Sequence, residues 1–111
     1  MNLKYQNKGN VIYQVEDYEF RYSGKKIAKI ELMIFLDEPS YAFTYKLVNE
    51  DLPSKIKESS SNDNLLLQKL GLDVYKYADF KSKEAALQGA IDLISLIDKK
   101  REELVDVSNF V

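Results

Sequence analysis

The strongest constraint on the fold is a run of alternating apolar residues between Lys26 and Leu36. Every second residue of this segment is apolar, and these residues share one face of an extended chain: Ala28, Ile30, Leu32, Ile34 and Leu36. A period of two is typical of a β-strand with one face in the core. The other face is polar at Lys29 but apolar at Met33 and Phe35, so the strand is partly buried on both sides. We therefore predict a central strand of a sheet.

A second alternating segment, residues 11–22, precedes the central strand. Its apolar residues follow one phase up to Val15 and the opposite phase from Tyr18 onward. One inserted residue restores the apolar face to the same side, so we predict a strand with a β-bulge at Glu16-Asp17. The connection to the central strand contains Gly24, which accepts the positive φ of a hairpin turn.

The third alternating segment covers residues 41–47 and follows a predicted turn at residues 37–40. The connections between the three strands are too short for a parallel crossover, so we predict an antiparallel meander. Residues 1–10 are polar without a clear period, and we expect a short arm or an irregular lead-in there.

Residues 49–71 interrupt the alternation and predict shorter elements. We expect a helical turn at residues 55–58 and a mobile loop in the Ser- and Asn-rich segment 59–64. A short helix is predicted over residues 63–70, with Gly71 directly after its end.

The C-terminal part of the chain predicts one more strand and a long helix. Residues 72–80 alternate again but carry charges on both faces, which is typical of a strand at the edge of a sheet. Ser82 is a favourable N-cap, and apolar residues recur at helical spacing over residues 83–106. Gly89 lies inside this helix, so we predict a close contact with the sheet, with a kink as the alternative.

Together these elements predict a two-layer α+β fold in the order β-β-β-short α-β-α. An antiparallel sheet of about four strands carries the long C-terminal helix on one face, and their apolar surfaces form one core. The chain of 111 residues has the size of one domain, so we expect residues 1–111 to form a single unit.

The composition excludes much of the chemistry that enzymes use. The chain has no cysteine and no histidine, which removes thiolate nucleophiles, disulfides, most zinc sites and the commonest general base. Its four glycines are scattered, so the sequence has no phosphate-binding glycine loop. We therefore expect no metal site, no cofactor and no enzymatic activity. An enzyme that uses carboxylates alone is the third hypothesis, and a structural role is the remaining one.

Charge and hydropathy set further limits on the partner. The chain carries 16 basic and 18 acidic residues, and neither half is strongly basic or acidic. No apolar run reaches the roughly 20 residues that a membrane helix needs. Residues 1–8 also lack the apolar core of a secretory signal. We therefore expect a cytoplasmic protein without a membrane partner. The charge distribution gives only weak support for a nucleic-acid partner.

Tyrosine is the one residue type in excess, with eight in the chain. A tyrosine ring buries a large flat area and keeps a polar tip, so it is favoured at protein interfaces. Tyr75 and Tyr77 share one face of the predicted edge strand. With Tyr18 and Tyr22 they form our candidate partner-binding set. The alternative is that these rings fill the core and pair across strands.

Lys81 and Lys83 are the candidate anion-binding residues. Lys83 lies at the predicted helix start, where a cation opposes the helix dipole, so a bound anion would compensate it. The alternative is that both lysines are ordinary solvated side chains.

These observations predict a small, non-enzymatic protein-interaction module. Its more specific form is a phage- or mobile-element-encoded inhibitor of a host enzyme. An exposed edge strand at Tyr75 and Tyr77 would also allow a homodimer through sheet extension. The alternative is a nucleic-acid-binding module that stacks bases on sheet aromatics and uses the scattered lysines.

Overall fold

The computed structural model describes residues 2–6, 11–36, 40–48 and 51–104, with side chains described from Tyr13 onward. Within these ranges the strands are β1 (Asn2–Gln6), β2 (Val11–Tyr22), β3 (Lys25–Phe35), β4 (Ser40–Leu47) and β5 (Glu58–Ser60). The helices are α1 (Ser54–Lys57), α2 (Asn64–Lys69), α3 (Val74–Ala78), α4 (Lys83–Lys99) and α5 (Arg101–Leu104). None of the helices in these ranges combines the length and apolarity that crossing a membrane requires.

All of these strands belong to one antiparallel sheet in the order β1-β2-β3-β4-β5. β3 is the central strand, as its apolar alternation predicts. Helix α4 packs against β3 and β4 on one face of the sheet. The two-layer α+β fold with a long helix on one face is therefore confirmed. The turn predicted at residues 37–40 falls mostly on residues 37–39, which lie outside the described residues.

The core lies between α4 and the face of the sheet that carries the apolar alternation. Leu32 opposes Phe43 across the β3–β4 ladder, and both side chains are fully buried. The helix contributes small and branched residues to the same cluster: Ala86, Ala90, Leu93, Ile94 and Ile97. Removal of this shared apolar surface from water is what holds the two layers together.

The hairpin between β2 and β3 has its predicted turn but not its predicted bulge. Ser23 and Gly24 both have a positive φ, 52° and 75°, as a tight hairpin turn requires. The register is regular up to Phe20, so the bulge predicted at Glu16-Asp17 is wrong. The register shifts instead after Phe20, where Ile27 is the extra residue of β3.

Because β2 is regular across this region, its two apolar phases lie on opposite faces of the sheet. Tyr13 and Val15 are buried on the face away from α4, where the Tyr13 and Phe35 ring centroids lie 5.5 Å apart. Tyr18 and the aromatic residues after it lie on the α4 face. The phase change therefore arises because one face of β2 is buried in its first half and the opposite face in its second half. A β-bulge would give the same sequence pattern, which is why the sequence predicts one.

Two short strands lie in segments for which the sequence predicts none. Asn2–Gln6, predicted as an irregular lead-in, forms β1 and pairs with Val11–Val15. Glu58–Ser60, which spans the end of the predicted helical turn and the start of the predicted mobile loop, forms β5 and pairs with β4. Neither segment has a strong apolar alternation. Each forms a strand because its backbone N–H and C=O groups form hydrogen bonds with those of a neighbouring strand.

The strand predicted over residues 72–80 is wrong, because this segment contains helix α3. Asp73 caps the helix by accepting a hydrogen bond from the N–H of Tyr75 at 2.9 Å. Val74 and Tyr77 are three residues apart, so the apolar positions also fit a helix. Strand and helix spacing cannot be separated over so few residues.

The other helix predictions are confirmed in position. Helix α2 follows the side-chain cap of Asp63 and is followed by Gly71, which has a φ of 74°. The long helix follows Ser82, whose Oγ accepts a backbone hydrogen bond of 3.0 Å from its first turn. It is interrupted at Lys100, so the predicted single helix is divided into α4 and α5. The predicted end at residue 106 lies outside the described residues.

Gly89 marks a close contact inside α4, and the helix continues through it without a break. A Cβ built at Gly89 would lie 2.7 Å from Cζ of Phe80 and 3.6 Å from the ring of Phe43. The predicted close approach is therefore confirmed, with the Phe80 ring as its nearest neighbour.

Candidate docking edge of the sheet

The outer side of β4 is covered by two segments from later in the sequence, residues 58–61 and Phe80. First, β5 pairs with Thr44–Lys46. Next, Ser61 donates its N–H to the Phe43 carbonyl at 2.9 Å, and its Oγ accepts from the Phe43 N–H at 3.2 Å. Finally, Tyr41 and Phe80 exchange two backbone hydrogen bonds of 3.0 and 3.2 Å. These contacts close this edge of the sheet.

The outer side of β2 is covered in its first half. β1 pairs with Val11–Val15, and within the described residues no strand pairs with the outer side of Glu16–Tyr22. Among the described residues, the outward-facing N–H and C=O groups of this segment thus have no partner strand, which is the condition for pairing with another strand. We call Glu16–Tyr22 the β2 edge.

The side chains of the β2 edge alternate between an aromatic and a charged face. Tyr18 opposes Ile30, which is buried in the core with α4, so the aromatic residues lie on the helix face. Tyr22 on this face is 70% exposed and Tyr18 is 38% exposed, whereas Phe20 is half-buried. The opposite face carries the charged residues Asp17, Glu19 and Arg21.

A groove between the β2 edge and α4 adjoins these rings. Its walls come from the hairpin and from the helix: Phe20, Tyr22, Ile27, Ile94, Ser95 and Asp98. The groove has a volume of about 260 Å³, and its walls are mostly apolar. Apolar walls with a few polar groups are typical of grooves that bind apolar side chains. The polar residues here are Ser95 and Asp98, of which Asp98 also accepts a hydrogen bond of 2.7 Å from Arg101.

Glu16 joins the start of the β2 edge to the start of α4. Lys83 Nζ donates to Glu16 Oε2 at 3.0 Å, and Tyr18 OH donates to Glu16 Oε1 at 2.8 Å. These hydrogen bonds lower the pKa of Glu16, and the carboxylate raises the pKa values of Tyr18 and Lys83. The cluster holds the Tyr18 ring in place, while Tyr22 at the other end of the edge is more exposed.

The structure brings together two of the four predicted partner-binding tyrosines, Tyr18 and Tyr22, on the β2 edge. Tyr77 does not belong to any docking surface, because its side chain is only 7% exposed. Its ring packs against Phe43 and Phe80, with centroid distances of 6.3 and 5.5 Å. Burial raises the pKa of the Tyr77 phenol. The prediction for Tyr77 fails because α3 turns this ring into the core.

Tyr75 is 85% exposed, but it lies on α3 and not on a strand. The sheet extension that the sequence predicts at Tyr75 and Tyr77 therefore has no strand on which to form. The structure places the available strand edge on β2 instead.

The two predicted anion-binding lysines each have a carboxylate partner within the chain. Lys83 pairs with Glu16, and Lys81 forms an ion pair with Asp79. Glu84 also lies in the first turn of α4, where an acidic side chain favours the helix dipole. Anion binding stays a prediction, and an added anion has to compete with these carboxylates.

Sequence reasoning missed the position of the available edge and the contribution of α4 to the groove. Ser95 and Asp98 have no distinguishing sequence signal, because their role depends on the hairpin packed beside them. The alternation of aromatic and charged residues from Tyr18 to Tyr22 is the one local signal of an edge, since edge strands often carry charges.

Comparison of the chain with protein-family models, with curated proteins and with solved structures finds no match. In the part of the chain that the structure describes, no group of three or more acidic side chains is placed to hold a metal ion. Function is therefore inferred from the β2 edge and its surroundings.

Proposed function

We propose that this chain is a small, non-enzymatic protein-interaction module that docks its partner on the β2 edge. The observation that carries the proposal is a strand segment, Glu16–Tyr22, whose outer side pairs with no strand in the described part of the chain and which lies beside a mostly apolar groove. An extended partner segment pairs its backbone with such an edge, and its alternate side chains enter the neighbouring groove.

Tyr22 and Phe20 are the expected anchors of this interface. Tyr22 is largely exposed and Phe20 is half-buried, so docking removes apolar area from water at both rings. Aromatic anchors contribute strongly because they bury a large area and lose little side-chain freedom.

The charges on the opposite face of the β2 edge limit unwanted pairing. Glu19 is held between Arg21 at 2.5 Å and Lys26 at 3.4 Å, and Asp17 is exposed to solvent. Charged side chains on an exposed strand discourage nonspecific association of sheet edges. A docked partner therefore has to offer matching charges on this face.

Nucleic-acid binding receives less support from the same surface. Base stacking on exposed rings is normally accompanied by cations that contact phosphates. Lys26 and Lys83, which reach the β2 edge, are paired with Glu19 and Glu16. A protein strand is therefore the favoured occupant of the β2 edge.

The more specific hypothesis is that the chain is a phage- or mobile-element-encoded inhibitor of a host enzyme in the cytoplasm. A chain without cysteine suits a reducing compartment. The docked module inhibits the enzyme if it covers the substrate site. Activity of the captured partner, measured with and without the chain, tests this form of the proposal.

A photo-crosslinking residue placed at Tyr22 tests the docking proposal in the native host. We expect ultraviolet light to join this position to one protein, which mass spectrometry identifies. Phe20→Lys in the same chain should reduce the product, because it places a charge in the groove.

The matched control places the crosslinker at Lys46, which is exposed on the opposite face of the sheet and paired with Glu58. This position should give no specific product. Equal products from the two positions, or no product from Tyr22, would contradict docking on the β2 edge.

A further inference from the structure

We infer that the strand that docks on the β2 edge is the β2 edge of a second copy of this chain. The inference rests on the proposed function, because it uses the same edge and names the occupant. The dimer lies on β2, whereas the sequence predicts sheet extension at Tyr75 and Tyr77.

The segment Tyr18-Glu19-Phe20-Arg21-Tyr22 is self-complementary when two copies run antiparallel. With a two-fold axis at Phe20, each Tyr18 opposes Tyr22 of the other copy, and the two Phe20 residues oppose each other. Each Glu19 then opposes Arg21 of the other copy. Aromatic residues that face each other across an antiparallel pair stabilise it, and so do facing residues of opposite charge.

The two-fold axis is perpendicular to the sheet, so each face of one copy continues into the same face of the other. The aromatic side chains of both copies meet on the α4 face, between the two grooves. The charged side chains meet on the opposite face. One continuous sheet then carries both α4 helices on the same side.

The charged face supplies the electrostatic part of the contact. Within one chain, Arg21 Nε lies 2.5 Å from Glu19 Oε2, yet the two side chains are still 57% and 42% exposed. Glu19 also pairs with Lys26 and Arg21 also donates to the Gly24 carbonyl, but this exposure leaves room at both side chains for a further partner. Two copies place these ion pairs side by side, so each carboxylate lies near the guanidinium groups of both copies.

Other registers of the same edge place like charges opposite each other. An axis at Tyr18 brings Asp17 opposite Glu19, and an axis at Glu19 brings the two Glu19 carboxylates together. A shift by one residue sets the aromatic side chains of the two copies on opposite faces. The register centred on Phe20 avoids each of these conflicts.

Sedimentation equilibrium of the full chain, from about 1 μM to about 1 mM, tests the inference. We expect the mean mass to rise with concentration from 12.9 kDa toward twice that value. Arg21→Glu and Glu19→Arg each place like charges opposite each other, so each should weaken the dimer about tenfold. An equimolar mixture should restore association, because the negative positions of one variant then face the positive positions of the other.

Lys46→Glu is the matched control for these charge reversals. It reverses an exposed strand charge and breaks the ion pair with Glu58, but it should leave the dimer unchanged. Circular dichroism checks that every variant is folded, which we expect because exposed ion pairs contribute little to stability.

A mass that stays at 12.9 kDa up to the highest concentration would overturn the inference. A dimer that neither charge reversal weakens would also overturn it, since that dimer would use another surface. In either case, a crosslink from Tyr22 to a different protein would leave the proposed function standing. The absence of any crosslink from Tyr22 would remove both.

Discussion

The outer sides of β2 and β4 are covered in different ways, although both strands flank the central strand. The β4 side is closed by two separate segments that follow it in the chain, β5 with the adjoining Ser61 and, later, Phe80. The β2 side is covered over Val11–Val15, and the rest of this strand is unpaired on that side within the described residues. The closed edge is thus part of the folded core, whereas the β2 edge is the local surface on which we propose that docking occurs.

Phe80→Ala should have the largest effect, because it removes the ring that joins the closed edge to the core. This ring packs against Phe43 and Tyr77 and lies against Gly89. Truncation of a buried Phe lowers the free energy of unfolding by about 3–5 kcal/mol, which urea unfolding measures. Phe20→Ala on the β2 edge is the matched control and should cost clearly less, because Phe20 is half-buried. Equal losses would contradict the distinction between the two edges.

Ser61→Ala should have an intermediate effect on the closed edge. The Ser61 side chain is 1% exposed, and its Oγ accepts the N–H of Phe43. Alanine leaves this buried N–H without its partner, so the free energy of unfolding should fall by about 1–3 kcal/mol. Ser60→Ala is the control, because the Ser60 Oγ accepts from the exposed Asn62. If Ser60→Ala lowered the free energy of unfolding as much as Ser61→Ala, the hydrogen bond from Phe43 N–H to Ser61 Oγ would have no special role in closing the edge.

Glu16→Gln should have the smallest effect and a defined pH dependence. Lys83 and Tyr18 lower the pKa of Glu16 in the fold, so its carboxylate stabilises the fold above the ordinary carboxyl pKa. This stabilisation is lost as the pH falls through the lowered pKa of the folded state. The variant should be less stable by up to about 1 kcal/mol at neutral pH, and the difference should disappear in strong acid.

Urea unfolding over a range of pH measures this difference. Lys83→Met removes the main partner of Glu16, so it should cause a similar loss, and the double variant should lose little more than either single variant. A difference between Glu16→Gln and the parent chain that does not change with pH would contradict the pairing.

The sequence was sufficient to predict the elements in which apolar residues recur at one constant spacing over many residues. The alternation from Ala28 to Leu36 identifies β3, and the helical spacing after Ser82 identifies α4. Gly24 and Gly89 are also interpretable, because a positive φ and a close ring contact are local requirements. These features together were enough for the two-layer fold.

The edge structure could not be predicted, because it depends on contacts between distant residues. Residues 72–80 fit a strand and a helix equally, and the Asp73 cap together with the buried Tyr77 ring favours the helix. β1 and β5 form along neighbouring strands without an apolar pattern of their own. For this reason the sequence could predict Tyr18 and Tyr22 as partner-binding residues but could not show that they share a strand edge, whereas Tyr75 lies on a helix and Tyr77 is buried.

Amide hydrogen exchange followed by NMR tests most directly whether the β2 edge is available and the β4 edge is closed. In a dilute sample, outward-facing amides of Glu16–Tyr22 should exchange much faster than those of Tyr41–Lys46. At high concentration the amides of the β2 edge should become protected, whereas those of β4 stay slow throughout. Slow exchange along the β2 edge in the dilute sample, or equally fast exchange along β4, would contradict the account.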